Sequence, residues 1–316
     1  MIDGAVSSRH CRPGQISKMG RPAGPTLDTI IVGGGIAGLT LALSLHQRGL
    51  PVRVYEAVSD VRPLGVGINL QPAAVRELTE LGLGQQLASA GISVETFALF
   101  NKLGQLIWHE PRGTAAGYHW PQYAIHRGRL QAILLKAVRD RIGSDNFRSG
   151  LRLANIEQIG DRVFVAFRRA PDGSIIRDSA DVVVGADGIH SAVRCHIHPA
   201  SGATQFGGQI LWRAAVEGDA FLDGRTMIIA GHADQRIIVY PIATGSGHGR
   251  CLINWICQKA VRSNAPPVQD WNKRISPDAV LTDFEAWRFD WLDLPRLVRA
   301  SEAIFEFPLV DRDPIG

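Results

Sequence analysis

The chain has 316 residues, of which 45% are hydrophobic and 20% are charged, so it can bury a sizeable core in one or two domains. Its formal net charge of +4 is spread along the chain, and no basic block with interleaved aromatic residues predicts a nucleic-acid partner. Its 4 cysteines have no CxxC or other metal-ligand spacing, which predicts a cytoplasmic protein without a metal centre.

The N-terminal residues 1–26 are rich in glycine, proline and arginine and contain no apolar run. This composition predicts a disordered tail rather than a signal peptide, with a transit peptide or a misassigned start ahead of Met19 as alternatives. The uncharged stretch that follows, Thr29 to Leu45, is shorter than the roughly 20 apolar residues of a membrane span. It is also interrupted by glycines, so we predict no span here.

This uncharged stretch changes its hydrophobic period at the glycines. Thr29 to Val32 is apolar and β-branched, which predicts a short buried strand. Ile36 to Gln47 has apolar residues at helical spacing and is followed closely by Gly49, which predicts a helix. Val52 to Glu56 predicts a second strand. Together these segments predict a βαβ unit with a glycine-rich first turn.

The glycines of this turn have the spacing GxGxxG. A tight turn, the approach of a pyrophosphate and helix–strand packing each require one of them, at Gly33, Gly35 and Gly38. A phosphate would lie at the helix N-terminus, where free N–H groups and the helix dipole favour it. Glu56 follows at the end of the second strand, where it can accept hydrogen bonds from a ribose. The pattern predicts a dinucleotide site for NAD(P) or FAD; a packing turn beside a surface glutamate is the alternative.

Further along, the chain predicts a β-hairpin from Arg162 to Ile176 and a buried strand from Asp181 to Gly185. Asp187 and Gly188 end that strand. A carboxylate beside a bare backbone can meet a nucleotide at the end of a strand, although an ordinary turn explains this dipeptide equally well.

Four apolar segments within residues 206–258 are separated by short turns and predict an antiparallel sheet. Trp212, Tyr240 and Trp255 on these segments are candidate walls of a pocket for a flat aromatic substrate, with core packing as the alternative. Asp283 to Ser301 predicts one amphipathic helix that caps the sheet.

The segment GADGIHSAVR, from Gly185 to Arg194, together with the glycine-rich turn resembles the FAD-dependent aromatic hydroxylases, which are single-component flavoprotein monooxygenases. Residues 62–84, 123–135 and 309–314 are similar to other segments of the family, so the resemblance covers nearly everything from Thr29 onward. Within the family, the chain is most similar to the phenazine-modifying branch, and salicylate and 3-hydroxybenzoate hydroxylases are more distant.

The resemblance implies an α/β fold in which a Rossmann-like FAD-binding domain of the glutathione-reductase type carries an inserted antiparallel-sheet substrate domain. The FAD-binding domain would comprise residues 27–98 and 123–205, and the substrate domain residues 99–122 and 206–306.

The resemblance also implies a set of cofactor contacts but no catalytic side chain. Glu56 would bind the adenosine ribose, the backbone near Leu153 would face the adenine, and Asp187 would serve both FAD and the nicotinamide donor. Arg127 would lie against the cofactor, with a surface ion pair as the alternative. The implied cofactor-binding residues are Gly33, Gly35, Gly38, Glu56, Arg127, Leu153 and Asp187.

In the family, NAD(P)H reduces the flavin, O2 adds to it as a hydroperoxide, and a hydroxyl group passes to an electron-rich ring. The resemblance thus implies FAD as cofactor, NAD(P)H and O2 as co-substrates, and a small aromatic substrate of the phenazine or salicylate type. The sequence does not decide between NADH and NADPH, nor does it give the oligomeric state. A flavin-dependent reductase or dehydrogenase without oxygen insertion is an alternative function.

The chain ends at Gly316, before the position of the family's third motif, GDAAH. From the sequence we therefore expect a truncated product that binds FAD weakly or not at all by itself, and an inactive or partner-dependent fragment is a further alternative.

Overall fold

The computed structural model describes residues 27–60, 66–200, 202–261 and 273–314. The predicted N-terminal tail lies outside the described residues. The strands are β1 (Thr29–Val32), β2 (Val52–Tyr55), β3 (Gly67–Leu70), β4 (Ile92–Val94), β5 (Thr96–Phe100), β6 (Leu106–Pro111), β7 (Gln122–His126), β8 (Phe147–Arg148), β9 (Leu151–Ile159), β10 (Arg162–Arg169), β11 (Ile175–Ala180), β12 (Val182–Gly185), β13 (Gln205–Asp219), β14 (Thr226–Gly231), β15 (Gln235–Thr244), β16 (Arg250–Ala260), β17 (Arg274–Ile275) and β18 (Ile304–Asp311). The helices are α1 (Ile36–Gln47), α2 (Pro72–Glu80), α3 (Gly84–Ala90), α4 (Arg127–Ile142), α5 (Ala192–Ile197), α6 (Pro277–Phe284) and α7 (Leu294–Arg299).

A parallel sheet with the strand order β12-β1-β2-β8 carries the predicted βαβ unit. Its first strand and helix have the predicted bounds, and its second strand ends one residue earlier, at Tyr55. Helices α1 and α4 cover one face, where Ile31 and Val54 are buried, and the sheet β11-β10-β9 covers the other, where Ile30 is buried. Burial on both faces explains why β1 is apolar throughout.

The predicted hairpin is confirmed by β10 and β11, which pair antiparallel. This hairpin packs on the parallel sheet through Tyr55, whose ring stacks on Phe167 with centroids 4.1 Å apart. The Tyr55 hydroxyl donates a hydrogen bond to Asp178, which also forms a 3.0 Å ion pair with Arg53. The two sheets are therefore joined by a buried aromatic stack and a polar network at its edge.

A larger sheet has the order β17-β18-β13-β16-β15-β14-β5-β6 and contains the apolar segments predicted as strands. The pairs β13–β16, β16–β15 and β15–β14 are antiparallel as predicted. Strand β14 also pairs parallel with β5, so the sheet as a whole is mixed. The predicted domain boundary after residue 98 falls within β5, and the one after residue 306 falls within β18. The division into two domains remains a prediction.

The helical cap, formed by α6 and α7, covers one face of this larger sheet. The prediction of a single helix from Asp283 to Ser301 is wrong, because α6 ends at Phe284 and α7 begins at Leu294. Asp293 accepts a hydrogen bond from the Arg296 N–H, and Pro295 lies in the first turn of α7. An N-cap aspartate and an early proline start a helix but interrupt one that passes through them.

A fourth sheet, with three strands in the order β3-β7-β4, joins the two halves of the molecule. Leu70 and Ile125 pack into the core beneath the parallel sheet, whereas Val94 and Ala124 pack against Tyr240 of the larger sheet. Among the described helices, none is long and apolar enough to cross a membrane.

We predict that Tyr55→Phe lowers the free energy of unfolding by about 1–2 kcal/mol, because the hydrogen bond to Asp178 is lost at a buried site. Burial and that hydrogen bond raise the pKa of Tyr55 to about 12. Since a free tyrosine ionises near pH ~10, the unfolded chain loses this proton first. The difference between wild type and variant should therefore be full below about pH 10 and vanish as the pH rises through about 12.

Urea denaturation at a series of pH values measures this difference. Tyr118→Phe is the control, since Tyr118 is 62% exposed and its hydroxyl adds little to folding. A Tyr55→Phe variant as stable as wild type at neutral pH would contradict the role of this network.

Candidate functional site

The turn from Gly33 to Gly38, called the glycine turn below, joins β1 to α1. Gly33 follows β1 directly, and its N–H donates to the Tyr55 carbonyl over 2.8 Å. Gly38 lies in the first turn of α1, where an added Cβ would come within 1.9 Å of the Gly33 carbonyl oxygen. That backbone atom cannot move aside, so Gly38 is required for the helix to pack against the end of the strand.

Gly35 has the opposite environment. It is the N-cap of α1 with an extended backbone, and an added Cβ would meet no atom within 4 Å. In the part of the chain that the structure describes, no side-chain cap closes this end of α1, and its first turn contains no acidic residue. Uncapped N–H groups beside the open space at Gly35 are the arrangement that accepts a phosphate at a helix N-terminus.

Glu56 lies beside the glycine turn at the end of β2. Its Oε2 accepts a hydrogen bond from the Gly34 N–H at 2.7 Å, and its Oε1 accepts one from the Val58 N–H at 2.7 Å. A carboxylate has about four lone-pair sites, so both oxygens keep capacity for a ribose hydroxyl. The two backbone bonds fix the carboxylate at the predicted position.

One side chain of α4 contacts the glycine turn from the other side. Gln131 Nε2 donates to the Gly34 carbonyl over 3.0 Å, a contact that the sequence analysis missed. Arg127 lies one helical turn earlier on the same face of α4 and is exposed. Within the described ranges it forms no salt bridge, so the surface ion pair considered as an alternative is not found there. The sequence signal that could have identified Gln131 is its spacing of four residues from Arg127, which places both residues on the same face of a helix.

Asp187 follows β12, next to the glycine turn. Its Oδ2 accepts hydrogen bonds from the N–H groups of Ala192 and Val193, at 2.7 and 3.3 Å, and thereby caps α5. Its Oδ1 is buried and has no hydrogen-bond partner in the part of the chain that the structure describes. Leu153 lies further away, on β9 opposite Phe167, and is partly buried.

Three of the predicted cofactor-binding residues thus lie at the carboxyl ends of the parallel strands. Gly33, Glu56 and Asp187 follow three adjacent strands, β1, β2 and β12, at one edge of the sheet. This edge is where open parallel sheets bind nucleotides.

The predicted pocket residues lie on two different faces of the larger sheet. Trp212 and Trp255 are buried beneath the helical cap, and their indole N–H groups donate to Glu306 at 2.9 Å and to Ser301 at 3.0 Å. Tyr240 lies on the opposite face, against the sheet of β3, β7 and β4. Packing beneath the cap accounts for both tryptophans.

The face that carries Tyr240 continues into a partly exposed region, which we call the open face. Directly opposite residues on neighbouring strands share a face, and the register places Phe305, Arg213, Ile256 and Ile238 in one row. The open face consists of Leu211, Arg213, Ile238, Ile256, Phe305 and Phe307, all of them partly buried. The sequence analysis missed Arg213, which alternates with the buried Trp212 along β13.

Titration of this region is shifted by burial. Burial raises the pKa of Tyr240 to about 12, so this hydroxyl keeps its proton at neutral pH. Burial lowers the pKa of Arg213, the nearby charge of Arg127 lowers it further, and Tyr240 acts in the opposite direction. Among the described residues there is no group of histidines, cysteines and carboxylates that could hold a metal ion.

Comparisons with known proteins agree with this geometry. A family model described as an FAD binding domain matches residues 26–272. Phenazine 1,6-dicarboxylic acid hydroxylase PhzS of Lysobacter antibioticus is 46% identical over 300 residues, which are 91% of this chain and 72% of that protein. A 3-amino-4-hydroxybenzoate 2-monooxygenase of Streptomyces cremeus is 32% identical over 223 residues, 68% of this chain and 53% of that relative.

The solved structure of Klebsiella pneumoniae HpxO complexed with FAD and uric acid has a TM-score of 0.71 and 24% identity, and the match covers 92% of this chain and 69% of that one. The predicted fold class and FAD as cofactor are confirmed. The open space at Gly35 and the unpartnered Asp187 Oδ1 fit such a group, since they offer room for its phosphates and an acceptor for a hydroxyl.

Two glycine substitutions separate cofactor binding from folding. We predict that Gly35→Ala leaves the thermal unfolding temperature close to that of wild type but weakens FAD binding by about 10- to 100-fold, because the added methyl group fills the phosphate space. Gly38→Ala should instead destabilise the fold by about 1–3 kcal/mol or more, because its Cβ meets backbone.

FAD titration and thermal unfolding of both variants measure these effects. Equal losses of stability in the two variants, or undiminished FAD affinity in Gly35→Ala, would contradict this division of roles.

Proposed function

This chain belongs to the FAD binding domain family, and from that premise we propose that it is an FAD-dependent monooxygenase that hydroxylates a flat aromatic substrate with NAD(P)H and O2. The observation that carries the proposal is the glycine turn between two carboxylates, Glu56 and Asp187, at one edge of the parallel sheet, with an open apolar face on the adjoining large sheet.

The cofactor site follows from the geometry of that edge. The free N–H groups at the start of α1 would bind the pyrophosphate, and Glu56 would accept from the adenosine ribose. Arg127, exposed at the start of α4, would add a positive charge beside the phosphates. We propose the full set of cofactor-binding residues as Gly33, Gly35, Gly38, Glu56, Arg127, Leu153 and Asp187.

The acceptance of a hydride and the activation of O2 are the chemistry that FAD supplies when it is bound. The side chains of this chain would bind, orient and exclude water. Ile238 and Ile256 contribute aliphatic surface to the open face, and Phe305 and Phe307 contribute aromatic surface. Tyr240, which is neutral at physiological pH, borders this region as a hydrogen-bond donor.

A phenazine-type ring suits this surface. The L. antibioticus relative acts on phenazine 1,6-dicarboxylic acid and is 46% identical, and the open face offers aromatic and aliphatic area for a planar tricyclic ring. Residues 206–306, with 99–122, would form the substrate domain. Cys195, Cys251 and Cys257 are free thiols, which favours a reducing cytoplasmic location.

We predict that the purified chain, supplied with FAD, NADH or NADPH and phenazine 1,6-dicarboxylate, forms a hydroxylated phenazine that carries one oxygen atom from isotopically labelled O2. Product mass spectrometry and the FAD content of the protein measure this outcome. Omitting the phenazine is the control, because nicotinamide oxidation should then slow.

Nicotinamide oxidation that continues without O2, with another electron acceptor and no labelled product, would support a reductase instead. Absence of bound FAD at saturating concentration would contradict the proposed cofactor site.

A further inference from the structure

Arg213 occupies the middle of the open face. On β13 it lies between Phe305 of β18 and Ile256 of β16, directly opposite both. Its guanidinium carbon is 5.6 Å from the centre of the Phe307 ring, and Nη2 is 3.5 Å from the Gly67 carbonyl oxygen. The charge is therefore held on an aromatic ring at the border between the larger sheet and β3.

No carboxylate of the described residues pairs with this guanidinium, and its Nε is buried without a hydrogen-bond partner. Three other arginines on or next to the larger sheet have polar partners. Arg250 forms a 2.9 Å ion pair with Asp219, Arg225 pairs with Glu95, and Arg236 donates to Gln258 at 2.9 Å. A partly buried cation without an anion costs free energy that a bound anion would recover.

The surroundings of Arg213 add to this cost. The positive charge of Arg127, at the start of α4, disfavours the charged form of Arg213 and lowers its pKa in addition to burial. The one favourable neighbour is Tyr240, whose hydroxyl is neutral at physiological pH. Among the described residues, neither Arg213 nor Arg127 has a carboxylate partner, and each charge is close enough to disfavour the other.

The two arginines differ in the anion that their surroundings suit. Arg127 stands at the start of α4, one turn from Gln131, which holds the glycine turn. Its position suits the phosphates of a dinucleotide. Arg213 is instead surrounded by Ile238, Ile256 and Phe305, so its anion must be attached to a flat apolar group.

We propose that Arg213 is the specificity-determining residue of the substrate site and binds a carboxylate carried by the aromatic ring. The planar guanidinium fork matches a carboxylate in a bidentate geometry, while the ring lies on the apolar row beside it. This inference rests on the proposed function, because it assigns the open face to the substrate.

A matched pair of ligands tests the inference. Phenazine-1-carboxylate and phenazine-1-carboxamide have nearly the same shape and differ in charge. Titration of the FAD-saturated protein, followed by tryptophan fluorescence, should show that wild type binds the carboxylate about 10- to 100-fold more tightly than the amide.

In Arg213→Gln this preference should fall to within about threefold of unity, while the affinity for the amide changes little. Arg213→Lys keeps the charge but not the fork and should give an intermediate preference. Arg213→Met keeps the length of the side chain against Phe307 and should behave like Arg213→Gln, so that a folding defect in one variant leaves the other informative. Arg225→Gln removes the same charge at a distant surface pair and should match wild type.

Wild type without a preference for the carboxylate, or Arg213→Gln and Arg213→Met with an undiminished preference, would overturn the inference. A loss of FAD affinity in these variants with the substrate preference intact would assign Arg213 to the cofactor and would also overturn it. Preferential binding of the carboxylate without any hydroxylated product would leave the role of Arg213 standing and refute only the proposed function.

Discussion

The close approach of Gly38, in the first turn of α1, to the Gly33 carbonyl, at the end of β1, sets the position of α1 on the parallel sheet. The arrangement of the proposed cofactor site depends on this position. Because no side chain separates the two glycines, the helix starts directly above the strand and its N-terminal N–H groups emerge at the sheet edge. The same edge receives Glu56 from β2 and Asp187 from β12. A larger residue at position 38 would move the helix away and separate the dipole from both carboxylates. The packing constraint and the proposed cofactor site therefore depend on the same residue, Gly38.

The two faces of the larger sheet have different environments. One face is closed by the helical cap, where Trp212 and Trp255 are buried and their N–H groups are satisfied. The other face is only partly covered, by β3, β4 and β7, and leaves the row of Arg213 accessible. The capped face therefore holds the apolar core of the sheet, and the open face carries Arg213, which has no carboxylate partner among the described residues.

How far the sequence predicted this structure depends on whether the determining interaction is local. Thr29 to Val32 and Ile36 to Gln47 were predicted with their exact bounds, because a change of period and glycines at a turn are local signals. The prediction of a helix from Asp283 to Ser301 is wrong, although Asp293 and Pro295 mark the start of a new helix within it. The amphipathic spacing misled the prediction because apolar residues three or four positions apart can also pack into a core from a non-helical segment. The alternation of side chains between the two faces of β13 can be read from the sequence. Which of the two faces is covered depends on the packing of α6 and α7, which is a tertiary interaction that the local sequence does not encode. Arg213 was therefore missed while Trp212 was chosen.

Strand β3 is where the two halves meet, and its first residue joins them through the backbone. The Gly67 N–H donates to the fully buried Asn254 at 2.7 Å, and the Gly67 carbonyl faces Arg213. The preceding residue, Val66, accepts from the Arg127 N–H at 3.0 Å. One peptide segment thus contacts the helix that carries Arg127 and the strand that carries Arg213. Because backbone hydrogen bonds within a paired sheet allow little movement, the fold fixes how far apart the backbones of Arg127 and Arg213 lie. With the proposed roles of Arg127 and Arg213, this backbone spacing would favour a cofactor and a ring whose negative groups have a matching separation, so that a rigid framework adds selectivity without additional contacts.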